Sequence, residues 1–420
     1  MLTRATPAEM SSVTAPRTEQ AFSLRPIMIS AFAPALMFGV AEGAVLPVVA
    51  LTARSLGASL PVASVVVALI GVGSLVSNIP SALITTRYGE RPAIMLAGGV
   101  SAGALILGRF APNVGVLSVA MLLVGFANSV FVLARQSYLT EAVPVEMRAR
   151  ALSTLGGAAR IGIFIGPFIG AGVIHLFGTR DAYLAGALAA ASAGLIAAFS
   201  RDLIISTDLA RRDHRAVTVA MVVRSHRRIF LTLGIGVILI AAVRASRQVV
   251  IPLWAEHLGL SPTATSLIYG LAGALDMAVF YPAGKVMDRR GRRWVAVPSM
   301  LLMAAALIAI PATTGFSSLM LAAMALGFGN GIGSGLVMTM GADVAPDVGR
   351  PAFLGIWRLL GDTGSCGGPV LLSAVTGTFS LAAGVITNGG IGVLAAAMLW
   401  FWIPRTRPRP IERAAATMGR

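Results

Sequence analysis

The sequence predicts an all-α integral membrane protein of twelve transmembrane helices, arranged as two parallel repeats of six, with both termini in the cytoplasm. Three observations carry that prediction. Of 420 residues, 56% are hydrophobic and only 12% are Asp, Glu, Lys or Arg, with a mean hydropathy of +0.83. Soluble chains average ~45–50% apolar and ~25% charged residues. Apolar segments of ~20 residues, the length that crosses a bilayer core, recur along nearly the whole chain. Shifted by 202 positions, the sequence also overlays itself.

Residues 1–26 are polar, carry Pro7 and Pro16, and lack the compact apolar core of a signal peptide. They read as a disordered cytoplasmic tail. Six apolar spans follow, at 27–52, 62–85, 93–110, 116–139, 151–176 and 182–200, and make an N-terminal half of 27–200. The connection 201–228 is polar and basic. Six further spans, at 229–254, 264–283, 294–312, 317–340, 353–376 and 381–403, make a C-terminal half of 229–403, and 404–420 is a second basic tail. Of the 33 Lys and Arg residues, 25 fall in the tails and even-numbered connections, and three (Arg54, Arg109 and Arg180) at odd-numbered ones. Positive charge in short loops stays cytoplasmic, which places both termini and the 201–228 connection in the cytosol. A net charge of +16 and a pI near 11.5 would suit a soluble nucleic-acid binder. Here the charge is divided among short loops and forms no continuous basic face.

The 202-residue shift pairs Arg87 with Arg289, Gly89 with Gly291, Gly125 with Gly327, Asn128 with Asn330, Pro144 with Pro346 and Gly166-Pro167 with Gly368-Pro369, without a gap. An even number of spans per repeat makes the two repeats run in parallel about an axis along the membrane normal. That recurrent transporter design sets a substrate site between the halves near mid-membrane.

Two stretches carry a family resemblance. GKVMDRRGRR, Gly284 to Arg293, holds six ionisable residues in ten positions. Through Gly284, Asp288, Arg289, Gly291, Arg292 and Arg293 it matches G-x-x-x-D-R-x-G-R-R, and so resembles the loop signature of the major facilitator superfamily. The fifth span carries G-x-x-x-G-P-x-x-G at Gly162, Gly166, Pro167 and Gly170, similar to the signature of the superfamily's drug:proton antiporters. Gly364, Gly368 and Pro369 repeat it in the eleventh span. One position departs: the arginine those antiporters carry early in the fourth span is Met121 here. The resemblance implies a loop that latches the halves at the cytoplasmic face, with Asp288 docked on the start of the fifth span near Ala151. An anion suits such a helix start, and Arg292 is placed to pair with Asp343 at the end of the tenth span. For the glycine stripes two readings stand: static close packing, which small residues allow in lipid, or a sliding seam between the halves.

Eight ionisable residues lie inside spans: Glu42, Arg135, Arg160, Arg244, Arg247, Asp276, Arg358 and Asp362. Such groups are costly in hydrocarbon and default to functional or paired roles. Arg135 and Arg358 sit about one turn from the cytosol, within snorkelling reach, and Arg358 with Asp362 makes an i,i+4 ion pair. Arg160 and Asp276 lie at similar depth, and the resemblance, which implies that the fifth and eighth spans face each other across the halves, predicts a pair between them. Glu42 and Arg244 are repeat equivalents, which together with the family's cavity-lining first and seventh spans predicts a coupling site of Glu42, Arg244 and Arg247. Burial favours the protonated carboxyl and a nearby arginine the carboxylate, so moving the arginine would switch the proton on and off.

Several function classes drop out. Lys285, the only lysine, is followed by Val286 where a phosphate-binding loop needs Ser or Thr. His175, His214, His226 and His257 are scattered and suggest no metal site, Cys366 has no disulfide partner, and no cofactor is expected. Acids and histidines do not cluster at a membrane edge as a lipid transferase would need. The sequence therefore predicts a non-enzymatic, monomeric carrier, with the bilayer, a small-molecule substrate and protons as partners. Its leading function is proton-coupled efflux of small, partly apolar compounds by alternating access. The alternative is import or facilitated passage of a small anionic metabolite, which five arginines against three acids in the spans would favour.

Overall fold

In a computed structural model, residues 32–143, 145–199, 219–346 and 349–403 are described. The expected tails at 1–26 and 404–420, and residues 201–218 of the central connection, lie outside them. The N-terminal half contains α1 (Ala33–Ser55), α2 (Leu60–Tyr88), α3 (Glu90–Arg109), α4 (Val114–Ala142), α5 (Val145–Phe177) and α6 (Ala182–Phe199). A short helix, Val219–Ser225, ends the connection. The C-terminal half contains α7 (Ile235–His257), α8 (Pro262–Arg290), α9 (Arg293–Ala309), α10 (Phe316–Ile332, resuming as Leu336–Val344), α11 (Arg350–Thr378) and α12 (Leu381–Trp402).

Local chemistry sets many of these ends. Ser59, Asn113, Ser261 and Ser380 each accept a hydrogen bond from the backbone N–H three residues on, which satisfies a donor the first helical turn leaves open. Pro61 and Pro262 occupy opening positions where no N–H is needed. Gly89 and Gly291, repeat equivalents, end α2 and α8 at φ of 87° and 95°, a conformation that a side chain would strain.

Among the described residues, eleven helices are long and apolar enough to cross a membrane. The twelfth, α11, is diluted by Asp362, Thr363, Ser365 and glycines, yet packs against α7, α2 and α12 as part of the bundle. The tenth span, expected to be continuous, is broken at Gly333–Gly335, where Gly335 takes a φ of 76°.

Within each half the same pairs meet: α1 on α5, α2 on α4, and, in the second repeat, α7 on α11 and α8 on α10. Between the halves, α2 faces α11, α5 faces α8 and α1 approaches α7. The glycine stripes belong to the first kind of contact. A Cβ at Gly162 would strike the Leu36 carbonyl oxygen, and one at Gly364 the Ile238 carbonyl oxygen. Gly166 and Gly170 meet Val40 and Ala44 of α1, and Gly368 meets Ala242 of α7. In this conformer the stripes therefore pack inside a half, and the sliding-seam placement between halves is corrected. Backbones must close to carbonyl contact here because lipid supplies no hydrophobic drive between helices. The bulkier face of α5, Phe164 and Phe168, is the one turned to Gly273 and Gly270 of α8 across the halves.

Candidate functional site

A cavity of about 210 Å³ opens between the halves. Its polar wall holds Glu42 from α1, Arg160 from α5, Arg247 and Gln248 from α7, Asp276 from α8 and Asn330 from α10. Phe164, Tyr269 and Met277 supply its apolar wall. Asp276 is the node of this group. The Asn330 amide donates to its Oδ2 at 2.6 Å, Arg160 Nη1 lies 3.7 Å from Oδ1, and Arg247 Nη1 lies 3.6 Å from Oδ2. Arg160 also sits over the Phe280 ring at 5.2 Å. An arginine of one half and an arginine of the other thus share one carboxylate.

The coupling trio predicted from the sequence is not brought together. Arg247 reaches the cavity, but Arg244 turns away from Glu42 and donates from Nη2 to the Gly333 carbonyl at 2.5 Å. That carbonyl caps the first piece of α10 and also accepts from the Leu336 N–H at 3.1 Å, and a cation is favoured at such a helix end. Glu42 has no ion pair within 4 Å and no hydrogen bond among the described residues. The cation whose field it feels is Arg135 of α4. Arg135 is part-buried and stacked 5.2 Å over Phe131, with a buried Nε lacking a hydrogen bond, so it does not simply snorkel out. On its other side Glu42 borders a second cavity of about 30 Å³ with Ser101, Met121 and Asn128.

The expected Arg358–Asp362 pair is absent among the described residues. Arg358 is exposed, while Asp362 accepts from Asn78 Nδ2 of α2 at 3.0 Å, and Ser129 of α4 donates to the other side of that amide at 3.0 Å. A partner across the halves replaces one on the same helix. Sequence reasoning also missed the contact that joins the extracytoplasmic ends of α1 and α7. Arg54 Nε donates to both oxygens of Glu256, at 3.0 and 3.3 Å. Nearby, Ser373 of α11 donates to the Pro61 carbonyl of α2 at 2.8 Å.

At the other end, the GKVMDRRGRR loop makes its described ion pairs within the C-terminal half. Arg292 is the hub, bonded to Asp343 at 2.9 Å, to the Met287 carbonyl at 3.2 Å and to Asp288 at 3.4 Å. Asp288 is 77% exposed and pairs with Arg292, so in this conformer the predicted docking on the start of α5 is not seen. The reason is proximity: Arg292 lies one turn away on the same chain. Arg289 is exposed and Gly284 has open space beside it. Arg293 Cζ lies 3.3 Å from the Trp400 ring centroid. Among the described residues, no group of three or more His, Cys, Asp or Glu is placed to hold a metal ion.

Two six-helix repeats around a polar central cavity, built mostly from helices long enough to cross a bilayer, define a multi-pass transport protein of the cell membrane. The family model of the Major Facilitator Superfamily matches residues 31–243 and 233–418, and the chain belongs to that superfamily. It is similar to the multidrug resistance protein MdtH of Klebsiella pneumoniae subsp. pneumoniae, with 24% identity over 332 residues, covering 76% of this chain and 79% of the relative. Among solved structures it resembles a mutant of the nucleoside transporter NupG, with a TM-score of 0.74, 11% identity and coverage of 89% and 98% of the two chains. A D-xylose-proton symporter gives a TM-score of 0.68 at 17% identity, over 91% and 98% of the chains.

Proposed function

We propose that the chain is a proton-coupled exporter of small, partly apolar compounds, working by alternating access, with Glu42 as the proton-carrying group. The observation that carries this is an unpaired carboxylate, Glu42, on the wall of a cavity shared by both halves. A carboxyl group inside a membrane protein defaults to a functional role, and one without a close cation can take up and release a proton without first breaking an ion pair. Similarity to proteins named for multidrug resistance supports export. Phe164, Tyr269 and Met277 supply apolar surface for the substrate body.

The test uses purified protein in liposomes with an imposed pH gradient and a panel of fluorescent amphipathic dyes. Glu42→Gln is expected to keep dye–dye exchange at saturating dye while losing at least ~10-fold in gradient-driven accumulation, the scale of a protonation step worth ~1.4 kcal/mol or more. Full gradient-driven transport by a folded Glu42→Gln protein would overturn the role of Glu42.

A further inference from the structure

We infer that the cavity selects zwitterions: small molecules with an anionic group, a cationic group and an apolar body between them. This deepens the transport reading above and rests on it. The argument is a count of unused donors and acceptors.

On one side stand Arg160 and Arg247. Each guanidinium offers about five N–H donors in a rigid fork. Of the carboxylate they share, Asn330 occupies Oδ2 at 2.6 Å while Oδ1 is buried without a hydrogen bond, and both guanidiniums stay 3.6–3.7 Å from it. A charge-assisted N–H···O bond closes to ~2.7–2.9 Å, so neither arginine is bonded to Asp276 in that sense. Arg247 Nε is buried without a hydrogen-bond partner, although only 14% of that side chain is exposed. That Nε is closed even to a water-sized molecule, but Arg160 and Arg247 both line the cavity, so guanidinium donors not closed onto Asp276 are available to a ligand there. A carboxylate or sulfonate fits the paired forks, and it would touch both halves at once, through Arg160 of α5 and Arg247 of α7.

On the other side stands Glu42, lining the same cavity with no hydrogen bond or ion pair among the described residues. Ionised, it offers two acceptor oxygens to an ammonium group. With Glu42 ionised, the cavity's two arginines balance its two acids, which suits a ligand of zero net charge and two poles. Arg244 adds no third pole, because it is turned to the Gly333 carbonyl. The ligand's ammonium and a proton would compete for Glu42, which is the sign that exchange of substrate against protons requires.

Binding is read without transport, by calorimetry on the purified full chain in detergent. The probes are matched sets on phenyl, indole and naphthyl bodies: the amino acid, its des-amino acid and its decarboxylated amine. The zwitterion of each set is expected to bind at least ~10-fold more tightly than either single-charge partner. Arg247→Gln should remove the advantage over the amine, and Glu42→Gln the advantage over the acid. Arg247→Lys should give an intermediate loss, since it keeps the charge and loses the fork. Arg160→Gln offers the same test from the other half should Arg247→Gln fold poorly. Amines binding as well as zwitterions, acids binding as well as zwitterions, or none of the sets binding, would each overturn the inference. A zwitterion preference that persists while Glu42→Gln retains full pH-driven accumulation would sink the proton role and leave the ligand class standing.

Discussion

The two ends of the molecule use charge in opposite ways. The cytoplasmic end is dense in arginine, yet the described ion pairs of its GKVMDRRGRR loop stay within one half, centred on Arg292 and Asp343. The extracytoplasmic end is poor in charge, yet its Arg54–Glu256 pair crosses from one half to the other. Charge density in a membrane protein reports topology, because positive loops stay in the cytosol. Closure is reported by where two charges stand relative to the axis. In this conformer the halves are tied by ion pairing at the quiet end and at mid-depth, and among the described residues no ion pair joins them at the crowded one.

The largest expected effect comes from reversing the quiet end. In a Cys366→Ser background carrying Ala58→Cys as a reporter, Arg54→Glu sets two carboxylates face to face. The labelling rate with an impermeant maleimide should rise at least ~10-fold, and adding Glu256→Arg should restore it. Neutral Arg54→Gln should raise the rate no more than about fivefold, since part-exposed pairs are worth ~0.2–1 kcal/mol. An unchanged rate in Arg54→Glu would show that packing alone closes this mouth. Arg292→Gln comes next. It removes bonds to Asp343 and the Met287 carbonyl from a guanidinium only 16% exposed, at a cost of ~1.5–3 kcal/mol for charge-assisted bonds. Melting of the purified protein should fall while maleimide labelling stays put. A labelling change as large as that of Arg54→Gln would return the loop to the role of a latch between halves. The smallest effect is expected from Asp288→Asn, within ~0.5 kcal/mol in stability, because its carboxylate is 77% exposed. Lost transport by a well-folded Asp288→Asn protein would show that the aspartate docks in another conformer.

By itself the sequence determined the spans, their direction and their duplication. Those depend on hydropathy, loop charge and local caps such as Ser59 and Ser261, which act over a few residues. It also brought out Arg160 and Asp276 as charges of similar depth, and the structure sets them 3.7 Å apart. What it left open is the direction in which a side chain points around its helix. Glu42 with Arg244, and Arg54 with Glu256, are both opposite charges 202 positions apart on the first and seventh spans. The same signal held opposite meanings. At the extracytoplasmic end α1 and α7 come together, so the equivalent charges meet. At mid-depth a cavity lies between the halves, and Arg244 donates instead to the Gly333 carbonyl at the break in α10. The glycines of α5 show the same limit, since spacing every four residues makes a stripe without saying which neighbour it faces. Only the tertiary structure decides that, because helix rotation is fixed by the summed packing of all neighbouring helices and not by any one of them.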